Sequence, residues 1–493
     1  MISTEAIDLF QKALKAPEEI ALQYYQAALQ LNPEYAEAHN NLATLLLRKK
    51  NVAEAQAHYI HAIRLHPDYL EAHLNLGLVF LIQKQYPAAI KQFNNVLSLH
   101  AHSLSAHWHL ANIYWQLQET DKAEEYWQKI ITINPQDVEA LNNLGAVAIQ
   151  RKNTDKALIY FKQALTVDPK HKIARSNLAS LLLQKNQLKE ALWHYSLYLN
   201  LVPQDSEAHY NSGVALMLLG QLSQAIEHFE HAIHIRENYP EAYCNLAAIY
   251  LRLNNSEQAR LYYQKTLQFQ PSHAIAGYMR AALTGEAMPA QTPTDYIKNL
   301  FDHYAGHFDI HLLNTLHYRL PELLYQYSQP YLQEKKWRIL DLGCGTGLAG
   351  AAFRKNAQHI TGVDLSANML AQAQKKNNYD QLIEGEILQI LIKLEQKFDL
   401  ILCLDTLVYF GVLDPIFSKI YERLNTHGLF GFSIELGKKF YQLEKTGRYR
   451  HNRLYVTKLI KKIGFEIVKQ GQVDGRHQAG ESVRCGLFLV QKK

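Results

Sequence analysis

Cysteine is scarce: Cys244, Cys344, Cys403 and Cys485 are the only four in 493 residues, and no two form a CxxC pair. That spacing supports neither a disulfide framework nor a thiolate zinc site. It suits a reducing compartment, so a cytoplasmic setting and no bound metal are expected. No apolar run approaches the roughly 18 residues of a membrane span. The opening Met1-Ile2-Ser3-Thr4-Glu5 has no basic stretch leading into an apolar one, so neither insertion nor export is expected. Dense basic tracts are missing as well, and a formal net charge of +5 spread thinly makes nucleic acid an unexpected partner. Disorder is also unexpected, because 48% hydrophobic and 20% charged residues supply a core for every segment. The length exceeds what one core usually supports, so two or more folding units are expected.

What is present in abundance is repetition. Pro33, Pro67, Pro135, Pro169, Pro203 and Pro271 stand on one 34-residue register, broken only by Ala101 and Glu237. Ala21, Ala55, Ala89, Ala123, Ala157, Ala191, Ala225 and Ala259 keep the same register, each with an aromatic residue four positions later, from Tyr25 and Tyr59 to Phe229 and Tyr263. A small residue and a ring four apart share one helix face, the first allowing close approach and the second filling the gap. Leu42-Ala43, Leu76-Gly77 and Leu144-Gly145 supply a preceding helix. The pattern resembles tetratricopeptide (TPR) repeats, about eight of them, and implies an α-solenoid over residues 1–284.

A further series, Asn41, Asn75, Asn143, Asn177, Asn211 and Asn245 with His109 in the missing place, also keeps the register. In TPR superhelices similar to those of the O-linked N-acetylglucosamine transferases, asparagines before the leucine line the concave face and bond an extended peptide. The resemblance therefore implies a peptide groove with a protein or peptide partner, since an amide both donates and accepts. Helix packing is the alternative for the same residues. His39, His73, His107 and His209 share a register with Leu141, Arg175 and Tyr243, so they read as packing residues rather than metal ligands.

The register stops after Pro271, and residues 285–294 read as a linker. Beyond it, Trp337–Leu342 reads as a buried strand followed at once by Gly343-Cys344-Gly345-Thr346-Gly347 and an alanine-rich helix, a strand-to-helix nucleotide loop. A second strand ends at Asp364-Leu365, about twenty residues on, where a carboxylate can accept from ribose hydroxyls. Asp341, two residues before the first glycine, resembles the acidic residue of class I methyltransferases, in which it and the loop hold the amino-acid end of S-adenosylmethionine. Glu386-Ile387 resembles the segment near the adenine, and Phe398–Asp405 the central fourth strand, with Leu404 at its end. The whole arrangement resembles bacterial methyltransferases that carry TPR repeats. It implies a Rossmann-like α/β domain over 295–493, with a seven-stranded sheet, an antiparallel last strand near Cys485–Val490 and S-adenosylmethionine as cofactor. The leading helices, 295–330, resemble a segment that covers the cofactor, which makes Tyr304, Phe308 and Arg319 candidate lid contacts. Simple helix packing is the alternative. Thr446–Asn452 resembles a segment on the substrate side.

Methyl transfer from a sulfonium is an in-line displacement that asks the protein for positioning, plus a base where the nucleophile is protonated. Asp405, Tyr409, Glu435 and His451 are candidate bases or orienters, with His451 favoured by the ordinary pKa of its ring. Three functions compete: methylation of a protein recruited by the repeats, methylation of a metabolite or carrier-bound acyl group with the repeats serving localisation, and a non-catalytic scaffold. The complete Asp341, glycine-loop and Asp364 set argues against the third. No NPPY sequence follows the fourth strand to name the acceptor atom.

Overall fold

The computed structural model describes residues 2–286, 288–332, 336–478 and 481–493. Met1 and Ala287, assigned above to the array and the linker, lie outside the described residues, as do 333–335 and 479–480. The chain divides into two compact units, 1–228 and 229–493.

In the first unit helix pairs repeat, such as Ala36–Arg48 with Val52–Leu65. Ala55 and Tyr59 are buried on the second helix of that pair, as Ala157 and Phe161 are on theirs. Gly77 is small because a Cβ there would stand 2.7 Å from the Phe93 ring. In five of the pairs the turn is made by a residue in the left-handed region: Lys50, Lys84, Gln118, Lys152 and Asn186 have φ between +58° and +62°. The register histidines tie down the turn that precedes their helix. His39 Nε2 donates to Pro33 O (2.9 Å), His73 to Pro67 O (2.9 Å), His107 to Ala101 O (3.0 Å) and His209 to Pro203 O (3.2 Å), while Arg175 does the same to Pro169 O.

The second unit begins with helical pairs of the same kind, including Pro240–Arg252 with Ser256–Phe269, and a single helix Ala274–Thr284. A mixed sheet follows: β1 (Trp337–Leu342), β2 (Ala357–Asp364), β3 (Gln381–Glu384), β4 (Phe398–Cys403), β5 (Leu424–Leu436), β6 (Tyr441–Leu443), β7 (Tyr449–His451), β8 (Phe465–Gln478) and β9 (Glu481–Lys492). The order β3-β2-β1-β4-β5 is parallel throughout, β9 runs antiparallel to β5, and β8 antiparallel to β9. The antiparallel last strand is as the resemblance implies. β1 and β4 are buried along nearly their whole length, because helices cover both faces of a parallel sheet.

Nine strands, not seven, are present among the described residues, because a β6–β7 hairpin is inserted after β5. β7 pairs in parallel with the tip of β5, Glu435 to Arg450 and Leu436 to His451. β9 fills one edge of β5 as far as Glu435, and β4 the other only as far as Phe432. β7 therefore extends the sheet beyond the C-terminal end of β4, over the site described below. The hairpin shares a core with the helix Ala274–Thr284, in which Tyr278 and Met279 are buried with Leu443 and Tyr449. Between helix and sheet, Gly411 N and Val412 N donate to Ala290 O at 2.8 and 3.0 Å, and Thr292 N donates to Tyr409 O at 2.9 Å. Among the described residues, no helix is long and apolar enough to cross a membrane.

Candidate active site

A cavity of about 350 Å³ opens at the C-terminal ends of β1 to β4. The turn after β1 explains its floor. Gly343 has φ +73°, and a Cβ there would fall inside the Thr406 hydroxyl, so only glycine fits. Gly343 N and Cys344 N donate to Val363 O at 2.8 and 3.0 Å, which fastens the loop to β2.

Asp341 is 1% exposed, and its Oδ2 accepts from the Tyr379 hydroxyl at 2.6 Å. Burial pushes its carboxyl up to about 7, against the pull of the Tyr379 hydrogen bond. Tyr379 Oη also accepts from Gly350 N at 3.0 Å, and its ring fills the space above Gly347 and Gly350. Tyr379 is thus a support of the loop that the sequence did not reveal. Asp364 Oδ2 accepts from Gly345 N (2.8 Å) and Oδ1 from Ser366 N (2.9 Å); burial raises its pKa while these bonds lower it. Glu386 caps the helix Ile387–Lys393, accepting from Leu388 N at 3.2 Å and Gln389 N at 2.9 Å. Its oxygens are therefore shared between that cap and the cavity.

The structure brings Asp341, Gly343, Cys344, Gly345, Asp364, Leu365, Glu386, Ile387, Leu404, Asp405 and Tyr409 to this one cavity, together with Tyr304 and Phe308. Gly347 is at φ +92° behind the wall, under Tyr379. Tyr304 and Phe308 meet edge to face, 5.4 Å between centroids. Their segment is fastened to the loops beneath it: Ser366 Oγ donates to Asp302 Oδ1 (2.5 Å), Lys298 pairs with Glu384 (2.8 Å), and Thr346 Oγ1 and Lys376 Nζ both meet Asp309.

Two expectations need correction. Arg319 does not line the cavity; its side chain is 64% exposed, with the Glu322 carboxylate 3.8 Å away. His451 is 0% exposed and outside the lining, its Nε2 donating to Gly411 O at 3.2 Å, and burial lowers its pKa to about 4. Sealed in β7, that ring has no route to a substrate proton.

Asp405 and Tyr409 do reach the cavity, but as members of an ion-pair cluster. Arg448 Nη2 donates to Asp405 (2.5 Å), Nε to Glu435 (2.8 Å) and Nη1 to Tyr409 Oη (3.1 Å). Arg476 Nη1 bonds both Asp405 oxygens (2.9 and 2.7 Å) and Nη2 bonds Glu435 (2.7 Å). Burial pushes the Tyr409 phenol up to about 12, so it stays protonated at neutral pH. Both arginines line the cavity; Arg448 falls in the Thr446–Asn452 segment expected on the substrate side, whereas Arg476 was not singled out by the sequence.

In the first unit Asn75 Nδ2 donates to Asn40 Oδ1 (3.2 Å), Asn177 Nδ2 to Asn142 Oδ1 (3.0 Å) and Asn41 Nδ2 to Tyr25 Oη (3.3 Å). Asn211 bonds Tyr195, Asn143 is half-buried, and His109 stacks on Phe93 at 4.8 Å. Asn245, in the second unit, is half-buried on its own first helix.

Comparison with known proteins agrees with this geometry. A family model described as a methyltransferase domain matches residues 339–428. Models of the tetratricopeptide repeat match 34–101, 102–170, 148–211, 213–254 and 240–273. A protein of Geobacillus sp. (strain WCH70) is 40% identical over 103 residues, 20% of this chain and 42% of its own length. The ubiquinone biosynthesis O-methyltransferase of Coxiella burnetii is 31% identical over 109 residues, 22% and 43% of the two chains. The malonyl-[acyl-carrier protein] O-methyltransferase of Priestia megaterium is 30% identical over 164 residues, 32% and 58%. The chain spans about half the length of the curated relatives it matches.

Proposed function

We propose that this chain, a tetratricopeptide-repeat array joined to a methyltransferase domain, transfers a methyl group from S-adenosylmethionine to a protein or peptide captured with the help of the array. The observation that carries the reading is the convergence of Asp341, the Gly343–Gly345 turn, Asp364 and Glu386 on one cavity. Asp341 and the turn take the amino-acid end of the cofactor, Asp364 the ribose and Glu386 the adenine side, with Tyr304 and Phe308 over it. The cofactor brings an activated methyl carbon, and the protein's task is to align the acceptor with it and exclude water.

The protein acceptor is favoured by the amide series of the repeats, each member on the first helix of its pair. Asn75 and Asn177 each give one N–H to a neighbouring repeat, and an amide has further hydrogen-bonding capacity for a peptide backbone. Acceptors of the kinds named for the Coxiella and Priestia relatives form the second reading, with the array serving localisation.

Calorimetric titration with S-adenosylhomocysteine, with NADH as control, tests the cofactor. Binding of the first alone is expected, and binding of neither removes the enzymatic reading. Replacing Asn75, Asn143 and Asn177 together by alanine should weaken partner capture and leave S-adenosylhomocysteine affinity unchanged. Undiminished capture would transfer the case to the second reading.

A further inference from the structure

In the order of the sheet, Glu386, Asp364 and Asp341 lie over β3, β2 and β1, whereas Asp405 and Glu435 lie over β4 and β5. Asp405, with Tyr409, Arg448 and Arg476 beside it in the lining, marks the acceptor end of the cavity, Glu435 stands behind the two arginines, and the hydrogen-bond character of the group is one-sided. Its carboxylates are already taken: both oxygens of Asp405 and one of Glu435 receive guanidinium N–H groups, and Arg450 Nε stands 3.8 Å from the other Glu435 oxygen. Donors remain. The Arg448 guanidinium carries five N–H groups, and its bonds to Glu435, Tyr409 and Asp405 use three, leaving one hydrogen on each terminal nitrogen. Tyr409 Oη accepts from Arg448, so its own hydrogen is directed elsewhere. Charge within the cluster is matched, Arg448, Arg476 and Arg450 facing Asp405, Glu435 and Glu444, so what the cluster offers the cavity is hydrogen-bond donors. The neighbouring walls are aromatic: Tyr296, Phe301, Tyr318 and Phe410.

Resting on the methyl-transfer reading, we infer that the group methylated is a carboxylate, held by Arg448 and the Tyr409 hydroxyl so that an oxygen faces the cofactor's methyl carbon. That oxygen attacks the carbon, the C–O bond forms as the C–S bond breaks, and the bonding pair returns to sulfur. An anion and a sulfonium become a neutral methyl ester and a thioether, and no proton moves. The chemistry asks for no base at the acceptor end, where Asp405 is held by two guanidiniums and Tyr409 keeps its proton; His451 is sealed away, and the histidine that does line the cavity, His311, stands in the covering segment beside Tyr304. Arg448 and Tyr409 are positioning residues on this account.

The test titrates the full chain, saturated with S-adenosylhomocysteine, with benzoate and with benzamide, which matches its shape but carries no charge. Benzoate should bind about tenfold or more tighter than benzamide. Tyr409→Phe, which leaves the ion pairs in place, should weaken benzoate severalfold without changing S-adenosylhomocysteine affinity. Arg448→Lys should weaken it further by removing the planar fork. Equal binding of the two probes, or no binding of benzoate, overturns the inference. A chain that does not bind S-adenosylhomocysteine at all overturns the underlying reading instead. Transfer from methyl-tritiated S-adenosylmethionine into a cell extract, split into protein and small-molecule fractions, then tells peptide carboxylates from free acids. Mild alkali should release the label as methanol from whichever fraction carries it. Alkali-stable label in both fractions counts against an ester, and where no label is taken up the benzoate comparison decides.

Discussion

Single atoms set the limits of the proposed cofactor site. At Gly343 a side chain would suffer twice, from a left-handed backbone and from collision with Thr406, whose Oγ1 is itself bonded to Leu342 O and Leu404 O and cannot retreat. Gly343→Val should therefore abolish S-adenosylhomocysteine binding while the helical circular-dichroism signal of the repeats persists; retained affinity in that variant would refute the assignment of the loop. Asp341 makes a pH prediction. Burial holds its carboxyl near 7, far above the usual carboxylate range, so the charged form that would hold the cofactor's ammonium group on the proposed reading predominates only above neutrality. Affinity for S-adenosylhomocysteine should fall about tenfold from pH 8 to pH 6, whereas adenosine, which lacks the amino-acid end, should show no such loss. A flat profile for both ligands would remove Asp341 from the site. Gly343, Asp341 and Asp364 were legible in the sequence because strand and turn are contiguous there. Tyr379, 38 residues from the Asp341 it supports, was not. His451 misled because an ordinary ring pKa qualifies a base only when the ring is reachable, and reach is a property of the packed β7.

At the scale of elements, the repeats owe their turns to side chains more than to proline. Since a carbonyl only accepts, His39 Nε2 must carry its hydrogen toward Pro33 O. The bare Nδ1 of the neutral ring then accepts from His58 Nδ1 at 2.8 Å. Adding a proton to His39 breaks that second bond and sets charge against charge. Burial, the largest cause, lowers His39 to about 4 and lowers His58 as well. Both groups are thus held neutral by the fold, while the unfolded chain keeps their ordinary 6.5. Their contribution is complete above about pH 6.5 and is lost as pH falls toward 4, up to about 3 kcal/mol for His39. Thermal unfolding followed by circular dichroism should show the first transition moving down between pH 7 and pH 5, and His39→Gln should flatten that dependence; an unchanged slope in the variant would place the acid sensitivity elsewhere. The sequence showed these histidines only as register positions, since their partners lie six residues back and nineteen ahead. The left-handed Lys50, Lys84 and Gln118 were equally hidden, because lysine and glutamine do not advertise that conformation. The β6–β7 hairpin escaped notice because its strands are three residues long.

On the largest scale, the end of the helical array and the catalytic sheet meet inside one unit, 229–493. Tyr278, on the helix Ala274–Thr284, donates to Gly447 O at 2.8 Å and shares a hydrogen bond of the same length with Thr292 Oγ1. Tyr449 Oη donates to Pro289 O at 2.7 Å. Gly447 directly precedes Arg448, so this guanidinium of the cavity wall stands on a turn that the helix steadies. A fragment starting at Thr294 would bare Leu443 and Tyr449, 3% and 0% exposed in the intact chain, and would lose the strip at Ala290–Thr292. At about 1.5–3 kcal/mol for each large apolar side chain returned to water, the two together cost about 3–6 kcal/mol, a large share of the roughly 5–15 kcal/mol that holds an ordinary domain folded. A fragment starting at residue 237, which keeps the helices Pro240–Arg252, Ser256–Phe269 and Ala274–Thr284, avoids that loss. It should therefore bind S-adenosylhomocysteine with the affinity of the full chain, while the one starting at Thr294 should unfold at a much lower temperature and bind weakly or not at all. Equal stability and affinity in the two fragments would mean that the last helices only lean on the catalytic domain. The expected difference would make them part of its core.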